Sequence, residues 1–359
     1  MTGILSAYGW NDLFAERLAA LGAGAGAPGR VVVERRGVYG LQTARGAIDA
    51  VVAGRLRHLA ADGGELPVVG DWVAFTRPDP AGMALVGAVL PRATRLSRKV
   101  AGARAVEQVI AANVDRIVVV MGLDGDFNPR RLERYLVMCR DSGARPIVLL
   151  NKADLCADLA ARAAAAEAIA GGAPVRAVSA LSGDLAGLSE LLVAGETVAL
   201  VGSSGAGKST LVNRLAGEEL LPTAPVRERD ERGRHTTTHR ELFLLPGGTL
   251  LIDNPGIREL QLWEAGEGLD EAFEDVARLA AGCRFRDCSH ATEPGCAVLA
   301  AIESGELDER RLRSFQALAR EAEALAARRD VRARREADRR LGKLYKTIQA
   351  EKSKRGNGW

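Results

Sequence analysis

The sequence predicts three consecutive units: a small closed β-barrel, an α/β domain with a parallel, doubly wound sheet, and a helical unit tied by a metal. Three observations carry that reading. About five short apolar strands, separated by Gly, Pro and Asp, crowd into residues 30–90. Apolar strands then alternate with amphipathic helices from Pro91 to about Gln261. Beyond that point the chain turns helical and charged, with Cys283, Cys288, His290 and Cys296 within fourteen residues. The expected boundaries are residues 1–91, 92–262 and 263–359.

Composition agrees with this division. A chain of 359 residues exceeds the roughly 150 typical of one domain, and 47% apolar with 26% charged residues is ordinary globular chemistry. The net charge is only +3, so any polyanion binding has to come from local basic surface. No run approaches the ~20 apolar residues of a membrane span, and the N-terminus has no secretory pattern, so a cytoplasmic protein without a membrane partner is expected. Five cysteines, three of them clustered, point to a reducing compartment and a metal rather than to disulfides.

In order along the chain, residues 1–27 read as a short amphipathic piece and a flexible Gly-Ala leader. Val31–Val33, Val38–Gly40, Ala50–Val52, Gly70–Phe75 and Ala84–Val86 are the short strands, and five in sixty residues suit a barrel of the OB type. Arg116–Met121 is a buried strand. Asn128-Pro129 caps a helix carrying Leu132, Tyr135, Leu136 and Cys139 at helical spacing, and Gly143 stops it. Pro146–Leu150 is the next strand, an alanine-rich helix follows over about 157–170, and Thr197–Val201 is another strand.

The chemistry sits at the ends of these strands. Gly202-Ser203-Ser204-Gly205-Ala206-Gly207-Lys208-Ser209 matches the phosphate-binding loop, with Thr210 next, in the required strand–loop–helix context. Backbone N–H groups of such a loop converge on phosphates, Lys208 reaches the β and γ phosphates, and Ser209 holds Mg²⁺. Asn151-Lys152-Ala153-Asp154 is an N-K-x-D at a strand end. Asp154 accepts from guanine N1–H and N2, which adenine does not offer, Asn151 orients on the other edge of the ring, and Lys152 covers a face. Ser179-Ala180 supplies a backbone contact to guanine O6. Asp253-Asn254-Pro255-Gly256 ends a further strand, with Asp253 toward Mg²⁺ and the Gly256 N–H toward the γ-phosphate. Gly233–Thr238 is a polar loop in the place of a first switch, and one of its threonines, Thr236 or Thr237 foremost, completes the Mg²⁺ shell. Because N-K-x-D precedes the phosphate loop, inverting the usual order, the domain reads as a circularly permuted GTPase binding GTP and GDP. Ile257 stands where many GTPases have a water-positioning glutamine, so intrinsic hydrolysis is expected to be slow, and His235 is the nearest replacement.

Cys283-x4-Cys288-x-His290-x5-Cys296 offers three thiolates and an imidazole, the donor set of one closed structural Zn²⁺ site. A disulfide would leave an odd cysteine and ignore His290. From Arg328 to Arg355 stand twelve Lys/Arg against four Asp/Glu, a basic helix suited to an RNA backbone.

Taken in order, N-K-A-D, S-A, G-S-S-G-A-G-K-S-T, G-R-H-T-T-T, D-N-P-G and C-x4-C-x-H-x5-C closely resemble the bacterial ribosome small-subunit-dependent GTPase A family, as does V-G-D-W-V in the barrel. The resemblance covers about residues 30–345. It implies an OB-type barrel, a permuted P-loop GTPase domain and a zinc-bearing helical domain. It further implies late maturation of the small ribosomal subunit, contact with its rRNA, GTP hydrolysis stimulated by that subunit, and His235 as the hydrolysis residue. Asn254 departs from the family's usual threonine and leaves Asp253 and Gly256 in place. A monomer is expected. We further expect γ-phosphate contact at Gly256 to reposition the zinc domain, because the second switch runs directly into it. The alternatives are an RNA-binding assembly factor with a structural nucleotide site, a permuted GTPase of large-subunit assembly, and, more remotely, an ATP-dependent P-loop enzyme.

Overall fold

Alternation of apolar and polar residues over residues 27–89 closes five strands on themselves in the computed structural model, which describes residues 3–60, 66–77, 82–99, 107–183, 185–221, 240–253, 267–324 and 326–327. Helices α1 (Gly3–Ala7) and α2 (Asp12–Ala19) come first. They precede strands β1 (Ala27–Arg35), β2 (Val38–Thr43) and β3 (Gly46–Val52), helix α3 (Gly54–Leu59), and strands β4 (Trp72–Thr76) and β5 (Ala84–Val89). The spatial order is β1-β2-β3-β5-β4, and β4 returns to pair with β1. Only β3 and β5 run parallel. Val31, Tyr39, Leu41, Ala50, Val73, Phe75 and Val86 fill the interior. The five strands expected from the sequence are all present, as an OB-type barrel.

The N-terminal piece departs from the expected flexible leader. Asn11 caps α2 by accepting from the Phe14 N–H. Leu5 and Phe14 are buried, and Trp10 and Phe14 lie 4.7 and 5.8 Å from Trp72. Covering a fully buried Trp removes a large apolar area from water, which favours docking of the two short helices.

Strands β6 (Arg95–Lys99) and β7 (Glu107–Ala112) pair with each other and lead into the α/β domain. It comprises β8 (Arg116–Gly122), α4 (Pro129–Asp141), β9 (Arg145–Asn151), α5 (Leu159–Ile169), β10 (Val175–Ala177), α6 (Ala186–Ser189), β11 (Thr197–Val201), α7 (Lys208–Ala216), β12 (Arg240–Leu244) and β13 (Leu250–Asp253). The sheet order is β10-β9-β8-β11-β13-β12, with all but β12 parallel. Its strands are near-continuous apolar runs, as burial on both faces requires. Chain connections leave β8 toward β9 on one side while β11 lies on the other, so a ligand crevice opens at the carboxyl ends of these three strands.

The barrel and this sheet are continuous, because β12 pairs antiparallel with β1. Arg30 of β1 is buried at the junction. It donates to Tyr8 O (3.0 Å), Asn113 O (3.2 Å) and Thr197 Oγ1 (3.0 Å), and its guanidinium lies 5.2 Å from the Trp72 ring centre. Burial pulls its pKa down to about 10 against the opposing charges of Asp115 and Asp71, so it stays protonated at neutral pH. One side chain thus ties the N-terminal helices, the barrel and β11 together.

Helices α8 (Glu267–Ala272), α9 (Glu274–Ala280), α10 (Ala297–Glu303) and α11 (residues 309–324) form the third unit, which packs on α4. Leu132 and Leu136 of α4 share one apolar core with Val276, Val298, Leu312 and Leu318. Into that core the chain places an ion cluster. Arg311 donates to Glu133 (2.8 Å), to both oxygens of Asp275 (2.9 and 3.0 Å) and to Ala272 O (2.7 Å), with its guanidinium 4.1 Å from the Phe273 ring centre. Ser314 donates its hydroxyl to the other Glu133 oxygen. Asp141 accepts from the Gly268 N–H at 3.1 Å, and Arg140 donates to Glu271 O.

Glu133 is only 4% exposed, so removing it strands the donors of Arg311 and Ser314 that it accepts from, while Asp275 still balances the charge of Arg311. Glu133→Ala is expected to cost about 1–3 kcal/mol, read as a shift in the denaturant midpoint. A loss below about 1 kcal/mol would mean that apolar contacts alone hold the helical unit.

Candidate nucleotide site and metal centre

The phosphate loop leaves β11 at Gly202 and enters α7 at Lys208. Two of its glycines are demanded by contact. Gly202 has φ 145°, and a Cβ there would stand 2.2 Å from Val120 O. Gly207 has φ 95°, and its Cβ would stand 2.2 Å from Asn151 Nδ2. The loop therefore fits only without side chains at these points, which leaves its N–H groups and the helix N-terminus to face an anion. Lys208 Nζ crosses the loop and donates to Gly202 O (2.7 Å) and Ser203 O (2.5 Å). Ser209 and Thr210 lie half-buried in the first turn of α7, and Ser204 and Gly205 are exposed.

Asn151 ends β9, two strands from β11. Its side chain does something the sequence reading did not assign to it. It donates from Nδ2 to Ala206 O (2.8 Å) and accepts from the Ala180 N–H at Oδ1 (3.0 Å). At 2% exposure the amide must find partners inside the protein, and two loop backbones supply them. The N-K-A-D, the Ser179-Ala180 loop and the phosphate loop are thereby joined by one residue.

Lys152 adopts a left-handed backbone (φ 64°), turning the chain into the short 3₁₀ turn Ala153–Leu155 that carries Asp154. Asp154 Oδ1 accepts from the Ser179 hydroxyl at 2.5 Å. The carboxylate that would read a base and the loop that would contact its oxygen are therefore hydrogen-bonded to each other.

Between these motifs the structure adds residues that sequence reasoning missed. The loop after β8 carries Asp124, which pairs with Lys152 Nζ, and Asp126, which accepts from the Ser203 hydroxyl and pairs with Arg131 at 2.6 Å. Their signal was positional: an acidic, Gly-containing turn directly after a buried strand in the middle of the sheet. Of the switch residues, His235, Thr236, Thr237 and Gly256 lie outside the described residues. The backbone of Asp253 closes β13, opposite Glu241 of β12.

The four metal-ligand candidates converge. Among the described residues, the donor atoms of Cys283, Cys288, His290 and Cys296 all lie within 4.8 Å of one another. Cys283 Sγ is 3.9 Å from Cys296 Sγ and 3.6 Å from His290 Nδ1, which is 3.4 Å from Cys296 Sγ. Zn–S bonds of about 2.3 Å imply a tetrahedral edge of about 3.8 Å, so the set fits a closed zinc centre. The left-handed backbone at His290 (φ 56°) turns its ring onto the thiols. Glu293 organises the loop between the ligands, accepting from the N–H groups of Ser289 (2.9 Å), Ala291 (2.9 Å) and Thr292 (3.0 Å). The Ser289 hydroxyl and these backbone donors hold its carboxyl well below the usual range. Gln316 of α11 donates to Ser289 O (3.2 Å) and His290 O (3.3 Å), anchoring the knot to the helical unit.

Comparison with known proteins follows this geometry. A family model described as RsgA GTPase matches residues 89–263, and one described as 50S ribosome-binding GTPase matches residues 197–349. The small ribosomal subunit biogenesis GTPase RsgA of Opitutus terrae is 51% identical over 347 residues, spanning 93% of this chain and 94% of that protein. Its namesake from Streptomyces coelicolor is 45% identical over 336 residues, spanning 92% and 90%. Among solved structures, YjeQ from Thermotoga maritima superposes with a TM-score of 0.63 at 27% identity, over 82% of this chain and 98% of that one. YloQ, described as a circularly permuted GTPase, gives a TM-score of 0.60 at 25% identity, over 83% and 95%.

Asn151→Ala would strand the Ala180 N–H and the Ala206 carbonyl together, at about 1–3 kcal/mol each. Fluorescent-GDP affinity is expected to fall at least tenfold, and an unchanged affinity would show that the loops hold themselves. For the metal centre, elemental analysis is expected to give one zinc per chain, and stripping it with a chelator to lower the melting temperature. Protein purified with zinc present that contains none would refute the assignment.

Proposed function

The chain belongs to the RsgA GTPase family, and from that membership we propose that it acts in maturation of the small ribosomal subunit, hydrolysing GTP when that subunit is bound. The observation that carries the nucleotide reading is Asn151, which locks a guanine-type base loop and a phosphate loop into one crevice although the chain delivers them in inverted order.

Within that crevice we assign roles to the chain's own residues. Asp154 accepts from guanine N1–H and N2, Lys152 lays its stem along the base, and Ser179-Ala180 contacts O6. The loop from Gly202 to Ser209, with Thr210, wraps the phosphates, and Lys208 leaves its loop carbonyls to pair with the β and γ oxygens. Ser209, Asp253 and a threonine of the Thr236-Thr237 pair hold Mg²⁺, which when bound neutralises charge developing on the phosphates. Gly256 senses the γ-phosphate and His235 orients the attacking water, a task that Ile257 cannot perform. The thiolates of Cys283, Cys288 and Cys296 with His290 keep the helical unit in one shape.

The partner side of the reading is contact with the small subunit's rRNA, by a protein that is a cytoplasmic monomer. The described helices include none long and apolar enough to cross a membrane. The large-subunit reading rests on a family model matched only from residue 197 on, whereas relatives spanning over nine-tenths of the chain carry small-subunit names.

Phosphate release with small subunits, with large subunits and with neither tests the proposal. Turnover is expected to rise only with small subunits, to vanish in Lys208→Ala, and to lose about 10²-fold of the stimulated rate in His235→Ala. Stimulation by large subunits alone, or stimulated turnover that survives Lys208→Ala, would refute it.

A further inference from the structure

A cleft of about 390 Å³ lies between α4 and α11. Arg130 and Arg134 line it from α4, and Arg313 and Arg320 from α11. Spacings of four and seven residues put each pair on one face of its helix. Arg130, Arg313 and Arg320 are exposed, and Arg134 is half-buried.

We propose that this cleft is an RNA-backbone site, a phosphate-binding seam spanning the GTPase domain and the zinc-bearing unit. The proposal rests on the ribosomal reading above and gives it a location. Four arginines line the cleft against one lining carboxylate, Glu321. Arginine's planar fork matches phosphate oxygens two at a time and remains charged at any physiological pH. A protein partner would need an apolar or aromatic anchor at the centre of its footprint, and the cleft offers only Ala317 and a buried Leu318.

The carboxylates already present fit this reading. Arg134 is held by Glu321 through two bonds of 2.9 and 2.6 Å, and Arg313 by Glu309 at 2.6 Å. Both pairs are partly or fully exposed, so a phosphate exchanges with either carboxylate at little cost. The docking of α11 does not depend on them, because Arg311 and Glu133 hold it from inside the core.

Binding is measured with purified small ribosomal subunits and with protein-free small-subunit rRNA, across a series of KCl concentrations. The double variant Arg130→Glu with Arg320→Glu is expected to bind both at least tenfold more weakly, with the logarithmic salt slope reduced by about two. Glu321→Gln frees Arg134 and is expected to bind about two- to threefold more tightly, a direction that structural damage would not produce. Unchanged affinity and slope in the double variant, with wild type still bound to subunits, would overturn the seam and leave the ribosomal reading intact. Weakening on subunits without weakening on protein-free rRNA would make the partner a protein and overturn it as well. Wild type that binds neither subunits nor rRNA would remove both readings.

Discussion

Asn151 holds two loops whose residues lie twenty-nine and fifty-five positions further along the chain, and the nucleotide crevice exists because it does so. Its amide takes the place that a Cβ on Gly207 would need, so the phosphate loop has glycine there and the left-handed turn into α7 follows. Its oxygen fixes Ala180, and Ser179 then fixes Asp154. Each of these contacts is buried or half-buried, where an unmade hydrogen bond costs more than a made one gains. The geometry therefore tolerates little drift in any one loop.

This explains why inverting the motif order is harmless. The two motifs are brought together by the order of strands in the sheet, where β9 and β11 flank β8, and then by a side chain. Neither device depends on which motif the chain makes first. What permutation does change is connectivity: β13 now leads through residues 254–266 into α8, so the chain leaving the nucleotide crevice enters the zinc-bearing unit directly. Helix α4 bridges the same two regions from the other side. Its preceding loop touches Ser203 and Lys152, and its body carries Glu133, Arg134, Arg140 and Asp141, each bonded into the helical unit.

Much of this was legible in the sequence, for a physical reason. The barrel strands, the strand–loop–helix around Gly202–Lys208, the strand end at Asn151 and the Cys₃His spacing are all local patterns, fixed by a period of two, by turn chemistry or by the reach of a metal. The features that escaped are tertiary. Arg30 reads as one more basic residue before an apolar run, and only the fold buries it against Trp72. Trp10 and Phe14 read as a leader because the surface they cover is assembled sixty residues later. The same holds for Asp124 and Asp126, whose meaning comes from strands that flank them in space. Spacing shows that Asn151 ends a strand and cannot show that its amide joins two loops.

The docking of the helical unit also bears on how nucleotide state is transmitted. The sequence leads us to expect that contact at Gly256 repositions this unit, by an order–disorder or a rigid-body change. Coupling between two ligand sites typically amounts to about 1–3 kcal/mol. Undocking the unit would open the apolar core shared with α4, which carries the Glu133–Arg311 cluster inside it, and burial of apolar surface is the larger favourable contribution. A repositioning driven by coupling of that size is therefore expected to keep the core shared with α4 closed. The sheet is fixed at Asp253 and the helical unit at Gly268 on Asp141, and a polyanion bound across the boundary would add to the coupling. Such a polyanion has to touch both sides of the α4–α11 boundary, and arginines line that boundary from both helices.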